Sequence, residues 1–177
     1  SFDEESGFVS MILSGQPEPP TYFAMMKEIN REGPPILGGL ESPPRLDVGR
    51  LREVLDADAL VVDLRSAADF ASGHIPGTIN LPIEWRGFTT WAGWFLPHGR
   101  DIYLVGEPGG IDEAVRALAM IGLDRVVGSL EFSSVRALAT DRIPSITPGE
   151  LDLRRSELQL VDVRGAAEWA GGHISGA

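Results

Sequence analysis

Short apolar runs alternate with amphipathic segments through the middle of the chain. Residues 59–63, 79–81, 101–105 and 125–127 are rich in Val, Leu and Ile, a pattern typical of short strands in a covered sheet. Between these runs, apolar residues recur at helical spacing, and Asp47 is placed to cap the first of these helices. Strands that alternate with helices predict an α/β fold with a mostly parallel sheet covered on both faces.

Residues 1–44 follow a different pattern. Apolar residues recur at helical spacing over 8–13, and a Gly/Pro stretch ends that helix. A second helix is predicted from Thr21, with Met25 and Met26 on an apolar face that packs against other residues. The proline-rich stretch after it is typical of segments that join domains, so we expect a helical linker here.

An aromatic segment lies in the middle of the chain. Its spacing, with Phe88, Trp91, Trp94 and Phe95 in register, predicts a helix with one aromatic face. Such a face covers a core or a neighbouring domain, and stacking on a ligand is the alternative.

A stretch of 18 residues occurs twice. Residues 61–78 and 160–177 lie 99 positions apart and are identical at 10 of 18 aligned positions without a gap. A repeat of this length indicates a duplicated domain of roughly 100 residues. We therefore expect a linker at 1–44, a first domain at 45–142 and the start of a second domain at 146–177. This last part contains too few elements to close a sheet of its own.

The composition excludes several classes of function. With 15 Lys and Arg against 26 Asp and Glu, the net charge is −11, which excludes a nucleic-acid binder and disfavours anionic membrane surfaces. No apolar run has the length of a membrane span, and the acidic N-terminus is unlike a signal peptide, so a cytoplasmic location is expected. The absence of cysteine excludes disulfides, thiolate metal sites and a cysteine nucleophile.

Three polar residues recur in both copies of the repeat. They are Asp63, Arg65 and His74 in the first copy and Asp162, Arg164 and His173 in the second. An Asp and an Arg two apart at a strand end fix the following loop through charge-assisted hydrogen bonds, and the repetition favours this structural role. Each histidine lacks a second His or Cys nearby, and His98 lies alone in a turn, so no metal site and no cofactor are predicted.

The segment from Gly106 to Gly110 has the geometry most favourable for a ligand. It is predicted as a loop between a strand and a helix N-terminus, at the carboxyl end of a sheet, where backbone N–H groups attract anions. Glu107, Asp112 and Glu113 add negative charge there, which disfavours an anion. The segment matches neither a P-loop nor a dinucleotide motif, and the chain contains no nucleophile elbow. A hydrolase that binds an anionic substrate here is one alternative function.

The repeated pattern Asp-x-Arg-x-x-x-(Asp/Glu)-(Phe/Trp)-x-x-Gly-His-Ile-x-Gly resembles the N-terminal motif of rhodanese-like domains. The resemblance covers residues 46–140 and the visible part of 146–177. It implies a central parallel sheet of about five strands between helices. Active members of this family transfer sulfur through a cysteine persulfide.

The same resemblance implies that the first domain is inactive. The family cysteine would fall at Val105 or Gly106, neither of which is a nucleophile. The arginine and serine that usually line the following loop are replaced by Gly109, Gly110 and Ile111. The vestigial active-site loop would thus comprise Val105, Gly106, Glu107, Pro108, Gly109 and Gly110.

A second, narrower resemblance concerns the N-terminal segment. Residues 17–35 resemble the end of the metallo-β-lactamase-fold domain in fusion proteins with rhodanese-like domains, a group that includes persulfide dioxygenases. Residues 103–108 and 121–124 are similar to the degenerate first rhodanese domain of such fusions. The His-x-His-x-Asp-His metal motif is absent from the chain, so no iron or zinc chemistry carries over. The resemblance implies the C-terminal part of a larger hydrolase or sulfur dioxygenase.

These observations lead to one preferred hypothesis and leave the chain's status as an enzyme open. The chain is interpreted as a non-catalytic rhodanese-like module of a persulfide-metabolising fusion protein, with a structural, interaction or substrate-presenting role. Thiosulfate or persulfide sulfurtransferase activity in a complete second domain or a partner is the alternative. The expected partners are the preceding metallo-β-lactamase-like domain or other copies of the chain, as in a homodimer.

Overall fold

A computed structural model describes residues 5–13, 22–57 and 59–177. The helices are α1 (Glu5–Leu13), α2 (Tyr22–Glu32), α3 (Val48–Asp56), α4 (Ala67–Ser72), α5 (Phe88–Phe95), α6 (Pro108–Ala119), α7 (Phe132–Val135), α8 (Pro148–Leu153) and α9 (Ala166–Ala170). The strands are β1 (Leu60–Asp63), β2 (Ile79–Asn80), β3 (Ile102–Gly106) and β4 (Val126–Glu131). Short 3-10 helices cover Arg136–Leu138 and Arg155–Glu157. The Gly/Pro stretch predicted to end the first helix lies outside the described residues.

The four strands form one parallel sheet in the order β2-β1-β3-β4. This confirms the predicted α/β fold with N-terminal helices. The resemblance implied about five strands, and a fifth position beside β4 is reduced to a single parallel bridge between Arg45 and Ser129. Pro43 and Pro44 precede this bridge, and because proline has no N–H group it cannot extend the ladder.

The core lies on both faces of the sheet. Along β1, Val62 faces the cluster covered by α5 and α6, whereas Val61 faces the cluster covered by α3 and α7. Both valines have no exposed surface, which explains why the strand sequence is continuously apolar rather than alternating. Helix α3 begins as predicted, because the Asp47 side chain accepts a hydrogen bond from the Arg50 N–H.

Helix α5 buries a different side from the one that its aromatic residues suggested. Phe88 and Ala92 lie in the core, but Trp91, Trp94 and Phe95 are between 38% and 54% exposed. These three residues therefore do not cover the core, and the other predicted role of the aromatic face, to cover a neighbouring domain, stays a prediction. The core side follows the four-residue spacing of Phe88, Ala92 and Leu96, and the three large rings lie outside it.

Helix α2 packs against the domain rather than projecting as a free linker. Its first residue, Tyr22, joins the core cluster beside α5, where a methyl group at Gly93 would lie 2.0 Å from the Tyr22 ring. Further along, the Ile29 side chain lies against Gly122. The helix ends at Gly33, which has a φ of +91° and donates its N–H to the Ile29 carbonyl at 2.8 Å. A glycine at α5 thus provides the space for an aromatic ring from α2.

The chain divides into two compact units, Ser1–Ile143 and Pro144–Ala177. The second unit contains α8, α9 and a 3-10 helix, and none of its residues forms a strand. Helix α8 begins with a capping box, in which Thr147 and Glu150 bond each other's backbone N–H groups. Neither helix of this unit has a buried residue.

Candidate functional site

A cavity of about 360 Å³ opens at the carboxyl ends of β1, β3 and β4. This is the edge at which open α/β sheets bind ligands. Its lining comes from the residues that directly follow these three strands and from the segment after β2. The lining residues are Leu64, Arg65, Ser66, Asp69, Ile83, Glu84, Glu107, Gly110, Phe132 and Arg136.

The first copy of the repeat forms a closed turn beside this cavity. Asp63 has no exposed surface and accepts hydrogen bonds from the Arg65 backbone N–H and guanidinium, the shortest at 2.6 Å. The same guanidinium donates to the Gly73 carbonyl at 3.0 Å, which ties the end of β1 to the end of α4. We call Asp63, Arg65, Gly73 and His74 the first clasp. Both carboxylate oxygens of Asp63 accept hydrogen bonds from Arg65, so this ion pair holds the backbone of the turn.

His74 belongs to the same turn and does not face a ligand. Its Nδ1 lies 3.1 Å from the Phe70 carbonyl, and because a carbonyl only accepts, Nδ1 carries the hydrogen. The imidazole also stacks on the Phe70 ring, with centroids 4.0 Å apart. The backbone of His74 pairs with Asp141 in an isolated bridge, at 2.9 and 3.1 Å. These contacts give His74 a packing role among the described residues.

The guanidinium of Arg65, which follows β1, lies over an aromatic ring that follows the edge strand β4. The guanidinium carbon is 3.3 Å from the centroid of Phe132, the first residue after β4. A cation over a ring face is stabilised electrostatically, and more so where water is excluded. Phe132 therefore completes the environment of the buried ion pair with Asp63.

The predicted loop from Gly106 to Gly110 is almost absent. β3 continues through Gly106, α6 begins at Pro108, and Glu107 alone connects them. Proline is favoured in the first helical turn because its φ is already helical and its missing N–H needs no partner there. Gly109 and Gly110 consequently lie in the first turn of α6. The prediction of a five-residue loop is wrong, since the turn that could cradle an anion has become helix.

The two positions aligned with the family cysteine are closed. Val105 is fully buried in β3, and its neighbour Gly106 packs against Leu64. A Cβ at Gly106 would lie 3.1 Å from the Leu64 Cβ, which is tighter than ordinary contact. A side chain at either position would therefore pack against other residues instead of reaching into the cavity.

The charged groups around the cavity favour cations over anions. Because Arg65 is paired with Asp63, Arg136 is the remaining cation of the lining, against the three carboxylates Asp69, Glu84 and Glu107. The formal balance of one positive and three negative charges is −2. Like charges repel most strongly in a partly enclosed site. An anionic substrate therefore meets net repulsion at this cavity.

The second copy of the repeat reproduces the geometry of the first clasp. Arg164 donates to Asp162 at 2.6 Å and to the Gly172 carbonyl at 2.8 Å. His173 Nδ1 lies 3.0 Å from the Trp169 carbonyl, and the two rings stack with centroids 3.7 Å apart. We call Asp162, Arg164, Gly172 and His173 the second clasp. It lies beside a cavity of about 720 Å³ with mostly apolar walls.

The second clasp predicts a measurable pKa shift. Hydrogen bonds from the Arg164 side chain, and then from its backbone N–H, lower the pKa of Asp162 to about 2. Because an unfolded Asp has a pKa near ~3.9, the clasp contributes stability above about pH 4 and loses it as pH falls toward about 2. A carboxyl-carbon NMR titration should place the Asp162 midpoint near this lower value.

Two variants separate this cause from a general charge effect. Arg164→Gln should return the Asp162 midpoint toward ~3.9, because the charged donor is lost. Arg155→Gln removes an equal charge from the same unit without breaking a bond to Asp162, and it should leave the midpoint in place. A midpoint near ~3.9 in the unmodified chain would contradict the clasp.

Neither a metal-ligand cluster nor a membrane-spanning helix is found among the described residues. Within the described ranges, no group of three or more His, Asp or Glu side chains converges in a way that could hold a metal ion. None of the described helices combines the length and the apolar character that a membrane crossing requires.

Several residues of the cavity were not found from the sequence. Phe132 and Arg136 follow β4, and Glu84 follows β2, so all three reach the cavity from other strands than the repeat. The available signal was the strand predicted at 125–127, because carboxyl ends of parallel strands meet at one edge, but its end was placed four residues before that of β4 (Val126–Glu131), which Phe132 directly follows. Glu84 carries no such signal.

Comparison with known proteins gives a consistent result. The family model "Rhodanese-like domain" matches residues 47–136. A metallo-β-lactamase from Staphylococcus aureus subsp. aureus COL is 32% identical, with a TM-score of 0.62 over 74% of this chain and 36% of its own. This chain therefore spans about a third of that protein's length. No curated protein matches the sequence.

Two further solved structures are similar over shorter parts of the chain. The rhodanese-like domain of an Anabaena protein is 26% identical over 59% of this chain and 84% of its own, with a TM-score of 0.46. A 3-mercaptopyruvate sulfotransferase of Escherichia coli is 20% identical over 50% of this chain and 40% of its own, with a TM-score of 0.41.

Proposed function

The chain belongs to the rhodanese-like domain family and contains no cysteine, and from this premise we propose that it is a non-catalytic module of a larger sulfur-metabolising protein. The observation that carries the proposal is the one-residue connection between β3 and α6. Family members react through a cysteine at the head of this connection. Here both the nucleophile and the turn that would surround it are missing.

The charge of the cavity supports the same conclusion. Thiosulfate and persulfides are anions, and the cavity presents Asp69, Glu84 and Glu107 against Arg136. A sulfur donor would therefore be repelled at the position where active domains hold it. The same repulsion weakens the alternative of a hydrolase that binds an anionic substrate there.

The proposed larger protein joins this chain to a metallo-β-lactamase-like domain. The support is the similarity to the Staphylococcus aureus metallo-β-lactamase, which extends over 74% of this chain, whereas the family model covers about half of it. The similarity thus covers more of the chain than the family model does. We infer a role in which this module supports assembly or presents substrate to a persulfide-processing domain.

Residues 146–177 are proposed to begin a second rhodanese-like domain. The support is the sequence repeat together with the matching geometry of the two clasps. Leu64 is buried in the first unit, whereas its counterpart Val163 is 92% exposed, so the second copy keeps the turn of the first without its packing. Sulfurtransferase activity in a complete second domain or a partner remains the alternative function.

A thiosulfate–cyanide assay tests the non-catalytic proposal. The chain should form no thiocyanate above a heat-killed control, with a cysteine-containing rhodanese as positive control. Val105→Cys and Gly106→Cys should also stay inactive, because the first thiol is sealed in the core and the second has no surrounding anion-binding turn. Thiocyanate formation by the unmodified chain would overturn the proposal.

The thiol variants also report on the geometry directly. In native Val105→Cys, a chromogenic disulfide reagent should react only as the domain unfolds, because a fully buried thiol is not accessible. Activity in either variant would show that the cradle is present after all and that only the nucleophile was lost.

A further inference from the structure

The exposed rings of α5 form an ordered apolar surface. Trp91, Trp94 and Phe95, which we call the aromatic row, lie at the three- and four-residue spacing of one helix face. The rings of Trp91 and Phe95 stack with centroids 5.8 Å apart and planes 11° apart. Beside them lies a cavity of about 430 Å³ whose floor includes Leu96 and His98. Large rings that are fixed in place and half exposed are typical of interaction surfaces.

The local charge sets this surface apart from the rest of the chain. Between residues 83 and 100 the sequence contains two arginines and one glutamate, a balance of +1 in a chain of net charge −11. When a partner binds and displaces water from this surface, few carboxylates are buried with it. The partner that it fits is therefore apolar and neutral or acidic, rather than basic.

The size of the aromatic row favours a tethered domain over a second copy of the chain. Three rings of this size that are roughly half exposed offer about 300 Å². A stable dimer buries about 800 Å² per partner, which is more than twice as much. Contacts between domains of one polypeptide bury about 600–1,500 Å² in total, and tethering supplies an effective concentration in the mM range. The exposed area of the aromatic row therefore fits a contact between domains of one polypeptide better than a dimer interface.

The N-terminal helices indicate the side from which the partner arrives. Gly93 lies between the rings of the row in sequence, and Tyr22 of α2 packs on it. α1 ends at Leu13, and eight residues lie between it and Tyr22; its apolar residues Val9 and Leu13 are 46% and 67% exposed. A segment of eight residues spans at most about 28 Å. A domain that contains α1 therefore lies within reach of the aromatic row.

We propose that the aromatic row is the docking surface for the domain that precedes α2 in the same polypeptide. The inference rests on the proposed function, because it takes that domain to be the metallo-β-lactamase-like one. α2 acts as a strap, since its packing on Gly93 fixes the chain beside the row. The docked face of the partner is apolar and covers Trp91, Trp94 and Phe95.

Footprinting in the full-length polypeptide tests the proposal. Mass spectrometry measures the rate at which hydroxyl radicals oxidise Trp91 and Trp94. This rate should be roughly tenfold slower in the full-length polypeptide than in the chain Ser1–Ala177, as expected if the docked state is favoured ten to one. Equal oxidation rates in the two polypeptides would overturn the proposal. A second result would also overturn the proposal: Ser1–Ala177 forms a dimer at micromolar concentration, and Trp91→Ser/Trp94→Ser converts it to a monomer. A second copy of the chain would then be what covers the aromatic row.

Calorimetry of variants supplies an independent readout. Trp91→Ser/Trp94→Ser should lower the unfolding temperature of Ser1–Ala177 modestly, because the rings are only half buried, but should split a shared transition of the full-length protein into two. Trp169→Ser, which removes a ring of similar exposure (41%) from the other unit, should leave the shared transition intact. A shared transition that survives the double substitution would count against the surface.

The two proposals fail in different ways. If the sequence upstream of α1 lacks the His-x-His-x-Asp-His motif, the metallo-β-lactamase assignment fails, whatever the footprint shows. If the motif is present but the tryptophans oxidise at equal rates, the fusion stands and the docking surface fails.

Discussion

Asp63→Ala is expected to lower the free energy of unfolding of the first unit by about 3–5 kcal/mol, the usual cost of breaking a buried ion pair. Asp63 has no exposed surface, and the Arg65 side chain is 12% exposed. The substitution leaves the guanidinium beside the Phe132 ring without its counter-ion and releases the Arg65 N–H. Urea denaturation followed by circular dichroism measures the loss.

Two controls show whether burial is the cause. Asp101→Ala breaks an ion pair with Arg125 in which both side chains are about half exposed, and it should cost no more than about 1 kcal/mol. The double variant Asp63→Leu/Arg65→Met should be more stable than Asp63→Ala, because neither charge then remains buried alone. A cost for Asp63→Ala as small as that of Asp101→Ala would mean that water screens the first clasp.

Gly93→Ala is expected to destabilise the packing of α2 on α5. The added methyl group would lie 2.0 Å from the Tyr22 ring, so the ring or the helix must move. Overpacking of this kind costs about 1–3 kcal/mol, and the better helix propensity of alanine recovers at most about 1 kcal/mol. Thermal unfolding should show the loss, and proteases should cleave α2 faster.

The partner residue and a second glycine make this test specific. In a Tyr22→Ala background, Gly93→Ala should be neutral or stabilising, because the clash is gone and only the helix propensity remains. Gly109→Ala, in the first turn of α6 with open space around its Cβ, should stabilise by about 0.5–1 kcal/mol. If Gly93→Ala behaves like Gly109→Ala, α2 does not pack on α5 in solution.

The parts of the fold that were predicted well depend on local sequence. The strand at Leu60–Asp63, the helix after Ser66 and the cap at Asp47 are set by apolar runs and by residues within a few positions. The α/β architecture followed from their alternation. Such features need no knowledge of what packs from elsewhere in the chain.

The errors arose where distant residues decide the outcome. The segment from Gly106 to Gly110 contains three glycines and a proline, which suggested a loop, but α6 begins at Pro108 and includes two of these glycines in its first turn. The aromatic residues of α5 predicted a face that covers a core or a neighbouring domain, and the core accepts the side with Phe88 and Ala92 but not the other rings. In the candidate site, contact between Arg65 and Phe132 joins residues on two different strand ends, and no local pattern encodes it.

The clasps make their contacts over very short sequence separations. Arg65 bonds Gly73, eight residues on, and His74 bonds Phe70, four residues back, whereas β1 pairs with β3 about 40 residues later. Contacts of short separation close with little loss of chain entropy and therefore form early in folding. The second clasp forms in a unit that has no strand at all. We therefore expect each clasp to act as a local folding nucleus, whose turn forms before the sheet, so that the later strands assemble on a strand end that is already held.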